Sequence, residues 1–183
     1  MALNNDPERY GAVAQTLHWA IVVLVIVQVT LALMADDLPR GVEKLELVTR
    51  HKSFGITILA LVILRLVWRL LNQPPPLPPM PGWQRVAAQF SHWGLYVLLL
   101  AMPLSGWMMS SSANYPVSWF GLFQLPDLVS PSKPLSELMH ELHETFAWLL
   151  LTLIGVHVAA ALKHQFWDRN GLLWRMLPFR RGR

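Results

Sequence analysis

At 183 residues the chain has the length of a single domain. It is 54% hydrophobic, only 14% charged, and has a mean hydropathy of +0.36, which excludes an ordinary soluble domain. It has no cysteine, which excludes disulfides, thiolate ligands and iron–sulfur clusters, and its net charge of +4 does not imply nucleic acid because most basic residues flank apolar runs.

After a short polar head, residues 12–35 carry no charge and are long enough to cross a bilayer. This run is too long for the core of a cleavable signal peptide, so it is expected to remain as a span. Gln28 and Thr30 are expected to face the bundle interior, and Asp36, Asp37, Pro39 and Gly41 end the segment. Residues 38–49 read as a mixed-charge loop. Arg50-His51-Lys52 opens a second span at 53–71, where Gly55 permits close approach of a helix or a flat ligand. Six prolines between Gln73 and Pro81 predict a stiff, extended link. A third span at 90–109 contains His92-Trp93 near its start and Pro103 near its end, where a kink is expected. Residues 110–138 read as a long loop, in which 117–123 are too few to span and are expected to lie on the membrane surface or cap the bundle. A fourth span at 142–164 leads into a basic tail. The expectation is an all-α integral membrane four-helix bundle, one domain over 1–183. Four spans put both termini on one side. Arg9, Arg65, Arg69, Arg85, Lys163, Arg169, Arg175, Arg180, Arg181 and Arg183 fall on that side, against Arg40, Lys44, Arg50, Lys52 and Lys133 on the other. The positive-inside rule then makes both termini cytoplasmic.

The fourth span carries the chemistry. His143 and His157 are 14 residues apart, which on a helix is about 21 Å of rise and roughly 40° short of four full turns. Either histidine alone reads equally as a hydrogen-bonded interfacial residue. Two on one face, separated by most of a bilayer core about 30 Å thick, point to two cofactors stacked across the membrane, and non-covalent haem is the group that takes histidine axial ligands. His51 opens the second span at the outer depth of His143. His157 lies six residues before Lys163 and His18 nine after Arg9, about 9 Å and about 13 Å from those charges. The outer pair is therefore His51 with His143 and the inner pair His18 with His157. His92, seven residues after Arg85 and so about 10 Å deep, competes with His18, and depth alone does not separate them. Arg65 shares a face with His51 and is read either as snorkelling or as meeting a haem propionate; Arg69 is read as snorkelling. His164 is placed beside a propionate or a small-molecule site, or snorkels, and His140 is read as interfacial. Arg50 and Lys52 are candidates either to attract a small anion or to pair with propionates.

His18-Trp19, Arg50-His51, His143-Glu144-Thr145, Gly155-Val156-His157 and His164-Gln165-Phe166-Trp167 in this order resemble the bacterial cytochrome b-561 family, across nearly the whole chain. The resemblance implies a four-helix dihaem cytochrome of the bacterial inner membrane, with b-haems on His18 and His157 and on His51 and His143, against His92. It also implies a quinone near His164. The family includes a superoxide oxidase. The expected function is thus electron transfer through two b-haems, from superoxide at the periplasmic face to ubiquinone in the membrane, with Arg50 and Lys52 attracting the anion. Bis-histidine ligation leaves no open iron position and favours outer-sphere transfer. The alternatives are a cytochrome subunit linking the quinone pool to a dehydrogenase or periplasmic redox partner, and a haem or metal transporter.

Overall fold

The computed structural model describes residues 2–177; Arg180, Arg181 and Arg183, counted above on the inner side, lie outside them. Four helices dominate: α1 (Ala12–Asp36), α2 (Val42–Leu71), α3 (Gly82–Ser112) and α4 (Lys133–Phe166). Each is long and apolar enough to cross a membrane. A hairpin of β1 (Ser118–Trp119) and β2 (Phe123–Gln124) lies between α3 and α4, and a single 3-10 turn, Leu173–Arg175, follows α4. The bundle is all-α apart from that hairpin.

Three helices begin well before their expected spans. Residues 42–52, read as mostly loop, form the first turns of α2; α3 starts at Gly82 rather than 90, and α4 at Lys133 rather than 142. Charge keeps these turns out of lipid but does not stop the helix. Arg50 pairs with Glu46 and Lys133 with Glu137, both at helical i,i+4 spacing. Hydropathy locates the lipid-facing length, while the backbone hydrogen bonding continues into the aqueous layer.

Ile26, Leu70, Phe90 and Val97 stand exposed on the helix exteriors, as expected of side chains that meet lipid. The buried apolar residues that pack into one cluster are few: Ile21, Ile58, Val62 and Tyr96. Packing joins α1 to α2, α2 to α3 and α3 to α4, and among the described residues α1 makes no close backbone approach to α4. The bundle is therefore two helix pairs hinged along α2 and α3. Gln28 faces the space between them, as expected. Thr30 does not: it is exposed, and its hydroxyl bonds back to the Ile26 carbonyl, which satisfies a polar group against lipid.

At one end the polar head, the proline-rich link and the chain after α4 are tied together. Asn5 donates to the Asn72 and Gln73 carbonyls at 3.1 and 3.2 Å, and Arg175 donates to the Pro76 carbonyl at 2.6 Å. Arg9 donates to the Leu177 carbonyl, and Trp19 Nε1 to that of Met176 at 2.9 Å. The head crosses so close to the start of α1 that a Cβ on Gly11 would sit 2.3 Å from the Leu3 carbonyl oxygen. At the other end the hairpin docks on α2. Ser53 Oγ accepts from the Phe120 N–H at 3.0 Å, and Trp119 Nε1 donates to Thr57 Oγ1 at 3.0 Å. Phe120 and Gly121 have φ of 48° and 74° and form a turn closed by Leu122 N–H on the Trp119 carbonyl at 2.9 Å. The segment read as a surface strap or cap is thus a hairpin held by α2.

With the basic excess on the side of the tied end, a reporter fused after Arg183 should be active in its cytoplasmic form and silent in its periplasmic form. The opposite pattern would invert the bundle.

Candidate functional site

Two groups of histidines occupy the space between the helix pairs. In the outer group, His51 comes from α2 and His143 from α4, with ring centroids 6.3 Å apart and planes at 71°. His143 Nδ1 lies 3.1 Å from the Met102 carbonyl and 3.0 Å from Ser105 Oγ, whose own hydroxyl donates to Met102 at 2.8 Å. A carbonyl only accepts, so Nδ1 carries the proton and Nε2 keeps its lone pair for a ligand bond. Gly106 makes room for the ring: a Cβ there would be 3.0 Å from His143 Cε1. His51 Nδ1 is buried without a close hydrogen-bond partner, and so is Gln28 Oε1. Both residues line a cavity of about 520 Å³, together with Gly55, Gly106, Met102 and His143.

Two collinear nitrogen–metal bonds of roughly 2 Å, each extended by roughly 1 Å to the ring centre, span about 6 Å, which is the separation of these two rings. Among the described residues no three His, Asp or Glu side chains converge as metal donors. The site supplies two imidazoles and apolar walls, which suits a metal whose remaining positions are filled by a macrocycle. The donors, the spacing and the cavity fit haem.

The inner group is His18 on α1, His92 on α3 and His157 on α4. The His92 and His157 rings are 5.5 Å apart at 63°, edge to face. His92 and His157 act electrostatically on His18 from across the gap, and His18 packs against Trp19 at 5.2 Å. The choice between His18 and His92 left open by depth has a physical origin: all three gather at one level. Arg65 Nε donates to the Tyr96 hydroxyl at 3.1 Å and its Nη1 to the Ala14 carbonyl at 3.3 Å. Arg69, read as snorkelling, instead lies 5.8 Å over both the Trp93 and Tyr96 rings and bonds Tyr10. Burial pushes the Tyr10 hydroxyl above its ordinary pKa, although Arg69 and Arg65 pull it down, so it stays neutral.

His164 is buried at the inner end of α4. Its Nδ1 lies 2.7 Å from Asp168, which also accepts from Lys163 Nζ at 2.7 Å. These contacts, Lys163 first, hold the Asp168 carboxyl below the usual range, so its ion pair with Lys163 is present above the ordinary carboxylate range and lost as pH falls through the lowered one. Arg169, at φ 53°, turns the chain back so that the Asn170 N–H reaches the His164 carbonyl at 3.2 Å. At the outer end Arg50 is engaged by Glu46, while Lys52 lies 5.8 Å over the Tyr115 ring. His140, read as interfacial, is exposed and reaches the rim of the outer cavity.

Sequence reasoning missed Ser105, Gly106, Tyr96 and Asp168. Two signals were present: the adjacent pair Ser105-Gly106, since small residues in a span mark close approach, and Asp168, four residues after His164 at helical spacing.

The profile described as prokaryotic cytochrome b561 matches residues 9–179. The chain belongs to the prokaryotic cytochrome b561 family. Cytochrome b561 homolog 2 of Escherichia coli (strain K12) is 34% identical, covering 97% of this chain and 95% of the relative. Cytochrome b561 homolog 1 of the same strain is 30% identical, covering 94% and 99%. A protein of Yersinia pestis named probable superoxide oxidase CybB is 28% identical, covering 96% and 99%. The cytochrome b561 family binds b-type haem and transfers electrons, and this member is a multi-pass protein of the bacterial inner membrane.

Replacing Gly106 by Ala in this cytochrome should push His143 off the Met102 carbonyl and lower the haem content read as pyridine haemochrome. Gly155→Ala, whose methyl group meets nothing within 4 Å, should leave it unchanged.

Proposed function

We propose that this cytochrome b561 holds two b-type haems, the outer on His51 and His143 and the inner on His18 and His157, and oxidises superoxide at the periplasmic face while reducing ubiquinone near the cytoplasmic face. The observation that carries the reading is the pair of α4 histidines, His143 and His157, each opposed by a histidine across the gap. A planar group held between the two helix pairs would take one ligand from each. His51 and His143 meet that condition, and so do His18 and His157. His92 and His157 both belong to the α3–α4 pair, which supports His18 as the ligand and His92 as its neighbour. When bound, the haems supply one-electron carriage across the apolar core.

The chain's residues supply the rest. Lys52, and Arg50 to the extent that Glu46 leaves its charge uncompensated, draw a small anion to the outer mouth. Ser105 and the Met102 carbonyl hold His143 in its ligating tautomer. Arg65, held at that level by the Tyr96 hydroxyl and the Ala14 carbonyl, would pair with the inner group's acidic substituents. His164, held by Asp168, borders the quinone and supplies protons. Two superoxide ions give two dioxygen molecules and two electrons; ubiquinone takes the two electrons and two protons to become the quinol. A second reading is an electron-transfer cytochrome that links the quinone pool to a dehydrogenase or periplasmic protein. Its support is that the relatives at 34% and 30% identity are named only as cytochrome b561 homologs.

Stopped-flow mixing of haem-loaded protein with a superoxide pulse tests the proposal. Haem reduction should outrun spontaneous dismutation, slow with added salt, and slow again when Arg50 and Lys52 are changed to Gln. A ubiquinone analogue should reoxidise the haems, and His164→Ala should impair only that phase. Reduction no faster than dismutation would leave the partner-linked reading.

Removal of single ligands tests the haem assignment. His157→Ala should lose the inner haem and His143→Ala the outer, while His92→Ala retains two. Loss of a haem in His92→Ala with both kept in His18→Ala would reassign the inner site.

A further inference from the structure

The two histidine groups differ in the fixed charge around them. At the inner group the Arg65 guanidinium bridges Ala14 of α1 and Tyr96 of α3. Ala14 precedes His18 by four residues and Tyr96 follows His92 by four, about one helical turn in each case. The guanidinium thus lies at the level of the inner histidines, and it acts electrostatically on His18, His92 and His157 alike. Arg69 adds a second cation one turn along α2, over Trp93 and Tyr96, and acts on His92. Among the described residues no Asp or Glu forms an ion pair with either arginine. Their partners are a carbonyl, two tyrosine hydroxyls and aromatic faces, all neutral, so both charges remain uncompensated inside the span.

The outer pair has no guanidinium bridging its helices inside the span; its cations, Lys44 and Lys52, stand on the wall of its cavity. The groups acting on His51 and His143 are the histidines themselves, the backbones of Gln28 and Met102, and His140. The nearby cations are turned elsewhere: Arg50 to Glu46, Lys52 to Tyr115, and Lys44 to the Leu38 carbonyl at 3.2 Å. Asp36 shares the cavity wall with Lys44 and Lys52 and offsets part of their field.

We propose that Arg65, supported by Arg69, sets the redox order of the two haems, holding the inner one at the higher midpoint potential so that electrons run from the outer site to the inner. This rests on the two-haem reading above. A fixed cation favours the oxidation state that carries one more electron, and within an apolar core its field is weakly screened. If the inner haem's propionates meet the same arginines, neutralising those anions moves the potential in the same direction. The step is one electron leaving the outer haem and one arriving at the inner, with no proton or bond changed. Arg65 and Arg69 act as positioning charges, not as ligands.

Potentiometric titration of the haem-loaded full chain, followed by absorbance and by low-spin electron paramagnetic resonance, tests this. Each component is assigned from His143→Ala and His157→Ala. The inner haem should be reduced first, with at least a tenfold preference for the electron, about 59 mV for a one-electron couple. Arg65→Gln should lower the inner potential and leave the outer one in place, and Arg65→Lys should restore the order. Tyr96→Phe, which removes a hydrogen bond but no charge, should preserve the order. Should Arg65→Gln lose its inner haem, Arg69→Gln carries the test and should lower the inner potential by a smaller step. Equal or inverted potentials in the unmodified protein would overturn the proposal. So would an inner potential untouched by Arg69→Gln and by any haem-loaded Arg65→Gln, or one that falls as far in Tyr96→Phe as in Arg65→Gln. A single haem per chain by pyridine haemochrome would instead overturn the two-haem reading itself.

Discussion

The structure depends on a space held open between two helix pairs. In lipid, apolar side chains gain little by leaving the solvent, so helices associate through packing, polar contacts and whatever they jointly enclose. Here the one contiguous buried apolar cluster is only four residues, and among the described residues α1 and α4 make no close backbone approach. Imidazoles from opposed helices face into the gap instead. A bundle built this way is completed by its cofactor, and the small residues Gly55 and Gly106 border the space because a larger side chain would intrude on Gln28 or on the His143 ring.

What keeps the gap from collapsing or splaying lies at the two ends. The inner end is a mesh of side chain to backbone hydrogen bonds that ties the head, the proline-rich link and the segment after α4. The outer end is closed by the hairpin, which fixes α2 through Ser53 and Thr57. Both closures use carbonyls and amides that helices cannot satisfy internally, and both lie where water or protein can replace lipid. The same arrangement sets two arginines without acidic partners at the level of the inner histidines, while Lys44 and Lys52 at the outer cavity share its wall with Asp36, so the scaffold's electrostatics have a direction along the membrane normal.

Much of this was legible in the chain. Long uncharged runs specify helices because no other open structure satisfies the backbone in lipid. Four of them place the termini together. The fixed rise per residue converts the spacing of His143 and His157 into depth. The order of short motifs around the histidines was enough to indicate the cytochrome b561 family. The helix starts at Val42, Gly82 and Lys133 were less legible, because hydropathy reports contact with lipid and not the end of a helical hydrogen-bond ladder.

Depth along the membrane normal is a one-dimensional property, and the sequence by itself determined it. Which groups meet across the bundle depends on the rotation of each helix about its axis and on its neighbour, and only the tertiary structure decided that. His92 lies against His157 because α3 packs on α4, while His18 faces them from α1. Arg65 reaches Ala14 and Tyr96, residues 51 and 31 positions away on other helices. Residue spacing along a single helix carries no record of such contacts, because the partners belong to different elements and their proximity is created by packing.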